Sequence, residues 1–164
     1  MRRQQESWAF EPPDLQRLDS LLTGFLRDTQ VRYALVLDRE GQVFGTAGDP
    51  GGLDVVSFAS LAAADFAASG ELAHLLGEDD FASLYHQSDH QGMFLVDVSG
   101  RAILAALFGQ RTTLGLLRLR VRDLVPELME LLDAVRRRGG GESPVLESEW
   151  LSEAETQIDR LFGA

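Results

Sequence analysis

His86, Asp89 and His90 put two imidazoles and a carboxylate within five residues, a donor set that suits a borderline metal ion. The segment spans a predicted strand end and turn, and no third ligand pattern accompanies it, so it reads as surface histidines. Glu78-Asp79-Asp80 offers hard oxygen ligands, but adjacent acids just after a helix C-terminus fit a solvated turn. Ser83 and Ser88 with His74, His86 and His90 form neither a nucleophile elbow nor a triad spacing. Gly48, Gly51 and Gly52 lack a phosphate-binding signature after them. The chain has no cysteine, and all 15 of its Lys+Arg are Arg. Thiolate metal sites, cysteine nucleophiles, Schiff-base chemistry and the lysine of a P-loop are therefore excluded. No catalytic residue, metal or cofactor is expected.

What remains is recognition. The formal charge of −11 repels phosphate backbones, which argues against nucleic acid as a partner. The basic concentration, Arg111, Arg118, Arg120, Arg122 and Arg136 to Arg138, can face an acidic partner, anionic lipid or phosphate, or pair with Asp123, Glu127, Glu130 and Asp133 beside it.

At 164 residues and 45% hydrophobic content, one core with an appendage is the expectation. Pro12-Pro13-Asp14 signals a helix start, and Leu15, Leu18, Leu21, Leu22, Phe25 and Leu26 recur at helical spacing after it. VRYALVLD (31–38) and QVFGTA (42–47) read as a hairpin turned at Arg39-Glu40-Gly41. A second helix runs from Leu53 to Leu76 and stops at Gly77. It is alanine-rich, so one face can be smooth while Leu61, Leu72, Leu75 and Leu76 reach a core. FASLYHQ (81–87), GMFLVDV (92–98) and RAILAALF (101–108) are strands, the last two joined by a tight Ser99-Gly100 turn. Helical pattern returns over Thr112 to Arg138 with apolar positions from Leu116 to Val135, and Pro126 predicts a kink or a late start near Asp123. No apolar run approaches the roughly 18 residues of a membrane span, and no secretory leader is evident, so the cytoplasm is the expected compartment.

The domain is expected to occupy residues 1–138, with 1–12 as a flexible lead, followed by a glycine-containing linker (139–147) and a terminal interaction segment (148–164). From Glu142 onward there are six acids and one Arg, punctuated by Trp150, Leu151, Ile158, Leu161 and Phe162. Acidic flanks around apolar anchors at helical spacing suggest a docking peptide.

Four stretches sharpen this order: VRYALVLDREGQVFGTAG (31–48), SLAAADFAASGELAHLLGE (60–78), FASLYHQ (81–87) and the distinctive FGQRTTLGLLRLRV (108–121). Over about Asp14 to Arg138 the chain resembles the roadblock/dynein light-chain domain family, in its bacterial polarity-system group of MglB proteins. LSEAETQIDRLFGA (151–164) resembles the acidic, hydrophobic ending of some of them. The resemblance implies an α+β fold, α-β-β-α-β-β-β-α: a five-stranded antiparallel sheet with the second helix on one face and the terminal helices on the other. It implies a homodimer in which second helices pair and sheets join edge to edge. That dimer binds a Ras-like GTPase, MglA, in its GTP-bound state, two subunits to one GTPase. Hydrolysis is stimulated by reorienting the GTPase's own catalytic residues, in bacterial cell polarity or motility, with concentration at a cell pole. On this basis Ser60, Ala63, Ala64, Ala67 and Glu71 form the expected contact surface, with Glu71 where a small residue is usual. Ile158, Asp159, Leu161 and Phe162 are the expected C-terminal docking residues. The alternative is a non-catalytic scaffold of the same fold that recruits a GTPase or another protein.

Overall fold

The computed structural model describes residues 8–140. The C-terminal docking residues Ile158, Asp159, Leu161 and Phe162 lie outside them. Helix α1 (Pro12–Thr29) starts where the proline pair predicts, and the Glu11 backbone N–H donates to Asp14 Oδ2 at 2.8 Å. Its stripe buries Leu18, Leu22 and Phe25, while Leu15, expected on the same stripe, is exposed. Strands β1 (Tyr33–Asp38) and β2 (Val43–Gly48) form the hairpin. Asp38 Oδ1 accepts the N–H groups of Glu40 and Gln42, both at 2.9 Å, which closes the turn. Gly41 there has φ +92°, and a Cβ on it would lie 2.9 Å from Ser60 Cα, so the turn presses directly on α2 (Val55–Leu75).

Strands β3 (Ser83–Gln87), β4 (Gly92–Val98) and β5 (Ala102–Phe108) complete an antiparallel sheet in the order β2-β1-β5-β4-β3. The β4–β5 link is tight as expected, with positive φ at both Ser99 and Gly100, the hand that matches strand twist. All of β1 and β5 are buried, which explains why they read as continuous apolar runs: both of their faces are covered. On one face Leu35, Leu37, Leu95, Ile103 and Ala105 pack against Ala59, Ala62, Ala63 and Phe66 of α2. The other face receives α1, whose Leu18 fills the space beside Gly45, the register partner of Val36. Helix α3 (Leu114–Gly139) lies beside α1, with Arg17 Nη2 3.5 Å from Glu130 Oε2. Edge strands are thus β2 and β3, and β3 is largely exposed.

One further expectation is corrected. Helix α3 has no late start, since it runs unbroken from Leu114 through Pro126. The missing proline N–H removes one ladder bond, and burial of Leu117, Leu124, Leu128, Leu131 and Leu132 outweighs it. Among the described residues one helix, α2, is long and apolar enough by length and composition alone to cross a bilayer, and its inner face packs in the core through Ala59, Ala62, Ala63 and Phe66.

The described residues divide into two units, 11–132 with the sheet, and a smaller one containing 8–10 and 133–140. In the smaller unit the rings of Trp8 and Phe10 stack at 6.3 Å, and Arg137 Nε donates to the Asp133 carbonyl.

Candidate partner-binding surface

Helix α2 is bounded firmly at both ends. Ser57 donates from its N–H (3.2 Å) and its Oγ (2.6 Å) to the Asp54 carboxylate, and these bonds hold the Asp54 carboxyl below the usual carboxylate range. At the far end Gly77 has φ +80°, and the N–H groups of Gly77 and Glu78 donate to the His74 and Ala73 carbonyls. This double bond pattern is a Schellman stop. Between these caps only one side of the helix meets the sheet. The solvent side then divides by geometry into two strips.

Ser60, Ala64, Ala67 and Glu71 recur at intervals of four, three and four, within an arc of about 60° at 3.6 residues per turn, and all four are exposed. This strip is smooth over three residues and ends in a carboxylate. Ala63, expected with them, belongs elsewhere: it is 4% exposed and packed in the sheet-side core, because its position turns it toward Ala59, Ala62 and Phe66. The accessible set is therefore Ser60, Ala64, Ala67 and Glu71.

The second strip holds Leu61 and Ala68, four residues before and three after Asp65, and Leu72, seven after it and so two turns along the same side. Leu61 is 70% and Leu72 57% exposed, so neither reaches the core as the spacing suggested. Asp65 shows which way this strip faces, because its Oδ2 lies 2.8 Å from His86 Nε2 on edge strand β3. The leucines thus stand on the side of α2 that looks over the exposed sheet edge. His86 is paired with a carboxylate on α2 rather than grouped with His90 and Asp89, and among the described residues no cluster of three or more His, Asp or Glu could hold a metal ion.

One latch escaped the sequence. Arg39, in the β1–β2 turn, hydrogen-bonds and ion-pairs with Asp97 of β4, and its guanidinium carbon sits 4.8 Å from the centroid of the Phe66 ring. Asp97 also accepts the Gly100 N–H at 2.9 Å. Two turns and the middle of α2 are tied together at this point, which fixes the helix on the sheet. Arg118, Arg120 and Arg122 of α3 are all exposed but do not share a face: Arg120 points away from the other two and lines a groove beside Asp123 and Glu127 of α3 and Asp28 of α1.

Comparison with known proteins agrees with this geometry. No protein of curated function matches the chain in sequence. Among solved structures it is similar to MglB of Myxococcus xanthus, at 30% identity over 72% of this chain and 96% of that one, with a TM-score of 0.69. It is similar also to the gliding protein MglB of Thermus thermophilus, at 28% identity over 79% and 98% of the two chains, TM-score 0.74. A further structure, described as MglB with a tetrameric arrangement, shares 28% identity over 80% and 98%, TM-score 0.75. The model of the Roadblock/LC7 domain matches residues 17–108, more than half of the sequence, and with the observed α-β-β-α-β-β-β-α order this makes the chain a member of the Roadblock/LC7 domain family.

Proposed function

We propose that this chain is a homodimeric regulator of a Ras-like GTPase of the MglA type, acting in bacterial cell polarity or motility. The observation that carries the reading is the division of α2 into two exposed strips above an exposed sheet edge. Leu61, Ala68 and Leu72 beside β3 need cover, and a second copy joined helix to helix and edge to edge supplies it symmetrically. Two such helices side by side leave Ser60, Ala64, Ala67 and Glu71 of both copies facing outward as one platform. Small side chains there let a partner's backbone approach closely. Similarity to MglB supports the choice of a GTPase as that partner, two subunits to one GTPase.

Phosphoryl transfer is accelerated mainly by positioning and charge stabilisation, so a regulator can act by holding the GTPase's own arginine and glutamine in place. The platform then selects the GTP-bound switch conformation, and differential binding becomes catalytic order. No residue of this chain touches the γ-phosphate in this reading. The Gly-containing linker (139–147) lets the segment 148–164 reach the same GTPase, with Ile158, Asp159, Leu161 and Phe162 entering a groove on it.

Phosphate release from a GTP-loaded MglA-type GTPase tests the proposal. Acceleration by the unmodified chain is expected, and binding without acceleration would leave the scaffold alternative in its place. Removing residues 148–164 is expected to weaken the complex or slow nucleotide exchange; if both match the full chain, the tail has no role in docking.

A further inference from the structure

The Asp65–His86 pair is a polar spot set in an apolar strip. Asp65 stands between Leu61, Ala68 and Leu72 on α2, and His86 sits on the edge strand, opposite Met93 of β4. Their one mutual contact, Nε2 to Oδ2 at 2.8 Å, leaves His86 Nδ1 and Asp65 Oδ1 without a protein hydrogen bond, and both side chains are partly exposed, at 51% and 36%. If the strip is covered as proposed above, water is stripped from those two atoms. Each must then find a partner across the joint or remain unsatisfied.

We infer that Asp65 and His86 are positioning residues that select the register, and hence the identity, of the second copy at the subunit joint. This rests on the edge-to-edge reading of the dimer. Leucines and alanines alone are satisfied by many offsets of one helix along another, and they discriminate poorly between apolar partners. A hydrogen-bonded pair with two open atoms is satisfied only where the opposing copy presents a donor to the carboxylate and a matching group to the imidazole. Where two β3 edges pair, their backbone N–H and C=O groups are used by the ladder, so the matching groups are side chains of the opposing copy, which the ladder presents at one fixed spacing. A polar pair in an apolar joint thus costs affinity and excludes wrong offsets, as a single buried amide does in a coiled coil.

The chain has no cysteine, so one label site can be introduced cleanly. Gln87 is exposed and on the opposite side of β3 from His86, and a spin label on Gln87→Cys reports inter-subunit distance by pulsed electron paramagnetic resonance. The unmodified dimer is expected to give one narrow distance. Asp65→Ala and His86→Ala, each of which strands its former partner, should raise the dimer dissociation constant about tenfold or more. Asp65→Leu with His86→Leu should dissociate no more readily than the unmodified chain, yet spread the distance over several values or form species larger than a dimer. A double-leucine dimer that keeps the single distance, or single variants whose dissociation constant stays within threefold, would overturn the inference. A labelled unmodified chain that stays monomeric at every concentration refutes the dimer reading itself, and this inference falls with it. Circular dichroism of each variant verifies that the exposed positions leave the fold intact.

Discussion

Truncating Leu72 to alanine should weaken self-association far more than it weakens the fold. The change removes three carbons, worth about 2.4 kcal/mol when fully buried at about 0.8 kcal/mol per methylene. Leu72 is 57% exposed in the protomer, so a covering partner would bury roughly that share anew, about 1.4 kcal/mol. A two-fold joint counts every substitution twice, giving about 2.7 kcal/mol, or roughly a hundredfold in the dimer dissociation constant. The protomer loses little, since truncation of an exposed side chain changes stability by about 0.5 kcal/mol or less. Sedimentation velocity over a dilution series reads the first quantity and chemical denaturation of the dilute protein reads the second. A dissociation constant within threefold of the unmodified chain would refute the assignment of this strip to the subunit joint. So would a loss confined to the protomer's own stability.

Three further outcomes follow from the same geometry. Ala67→Arg should abolish docking of the GTP-loaded GTPase while leaving the melting temperature unchanged, whereas Ala63→Arg forces a charge into a site 4% exposed and should prevent folding; equal behaviour of the two by thermal melting would contradict the division of the helix. Arg39→Ala removes both the bond to Asp97 and the contact with the Phe66 ring, and should lower stability by about 1–2 kcal/mol in urea unfolding, with Arg39→Lys restoring only part. Because its folded carboxyl is held below the ordinary range, Asp54 contributes stability that is present above the unfolded value and lost as the pH falls through the folded one; Asp54→Ala should lower the melting temperature at neutral pH and flatten its acid dependence.

Elements with strong local signals were legible in residue order alone. Helix α1 follows its proline pair and leucine spacing, β4 coincides with GMFLVDV, and α2 stops at Gly77. On α2 the failure with Ala63 arises because alanine carries no polarity. Ala59, Ala62, Ala63 and Ala73 are buried while Ala64, Ala67 and Ala68 are exposed on the same helix, and nothing but the fold separates them. Leu61 and Leu72 were misplaced for the complementary reason, since a leucine is read as core until the protomer leaves it uncovered. The Arg39 latch joins positions 58 residues apart in the chain, and a turn arginine gives no local sign of its partner. His86 is the surface histidine that its segment suggests, but its partner Asp65 lies on a helix 21 residues earlier, and local sequence gives no sign of that pairing. Pro126 shows the reverse error, a strong local signal overridden by the burial of the leucines around it.

The stoichiometry of the complex tests the platform most directly. Mixing the chain with a GTP-loaded MglA-type GTPase and measuring the mass of the product, with phosphate release followed in parallel, should give two subunits per GTPase and accelerated turnover, both lost in Ala67→Arg. A one-to-one complex, or acceleration that survives an arginine at position 67, would contradict the claim that paired α2 helices form the landing surface.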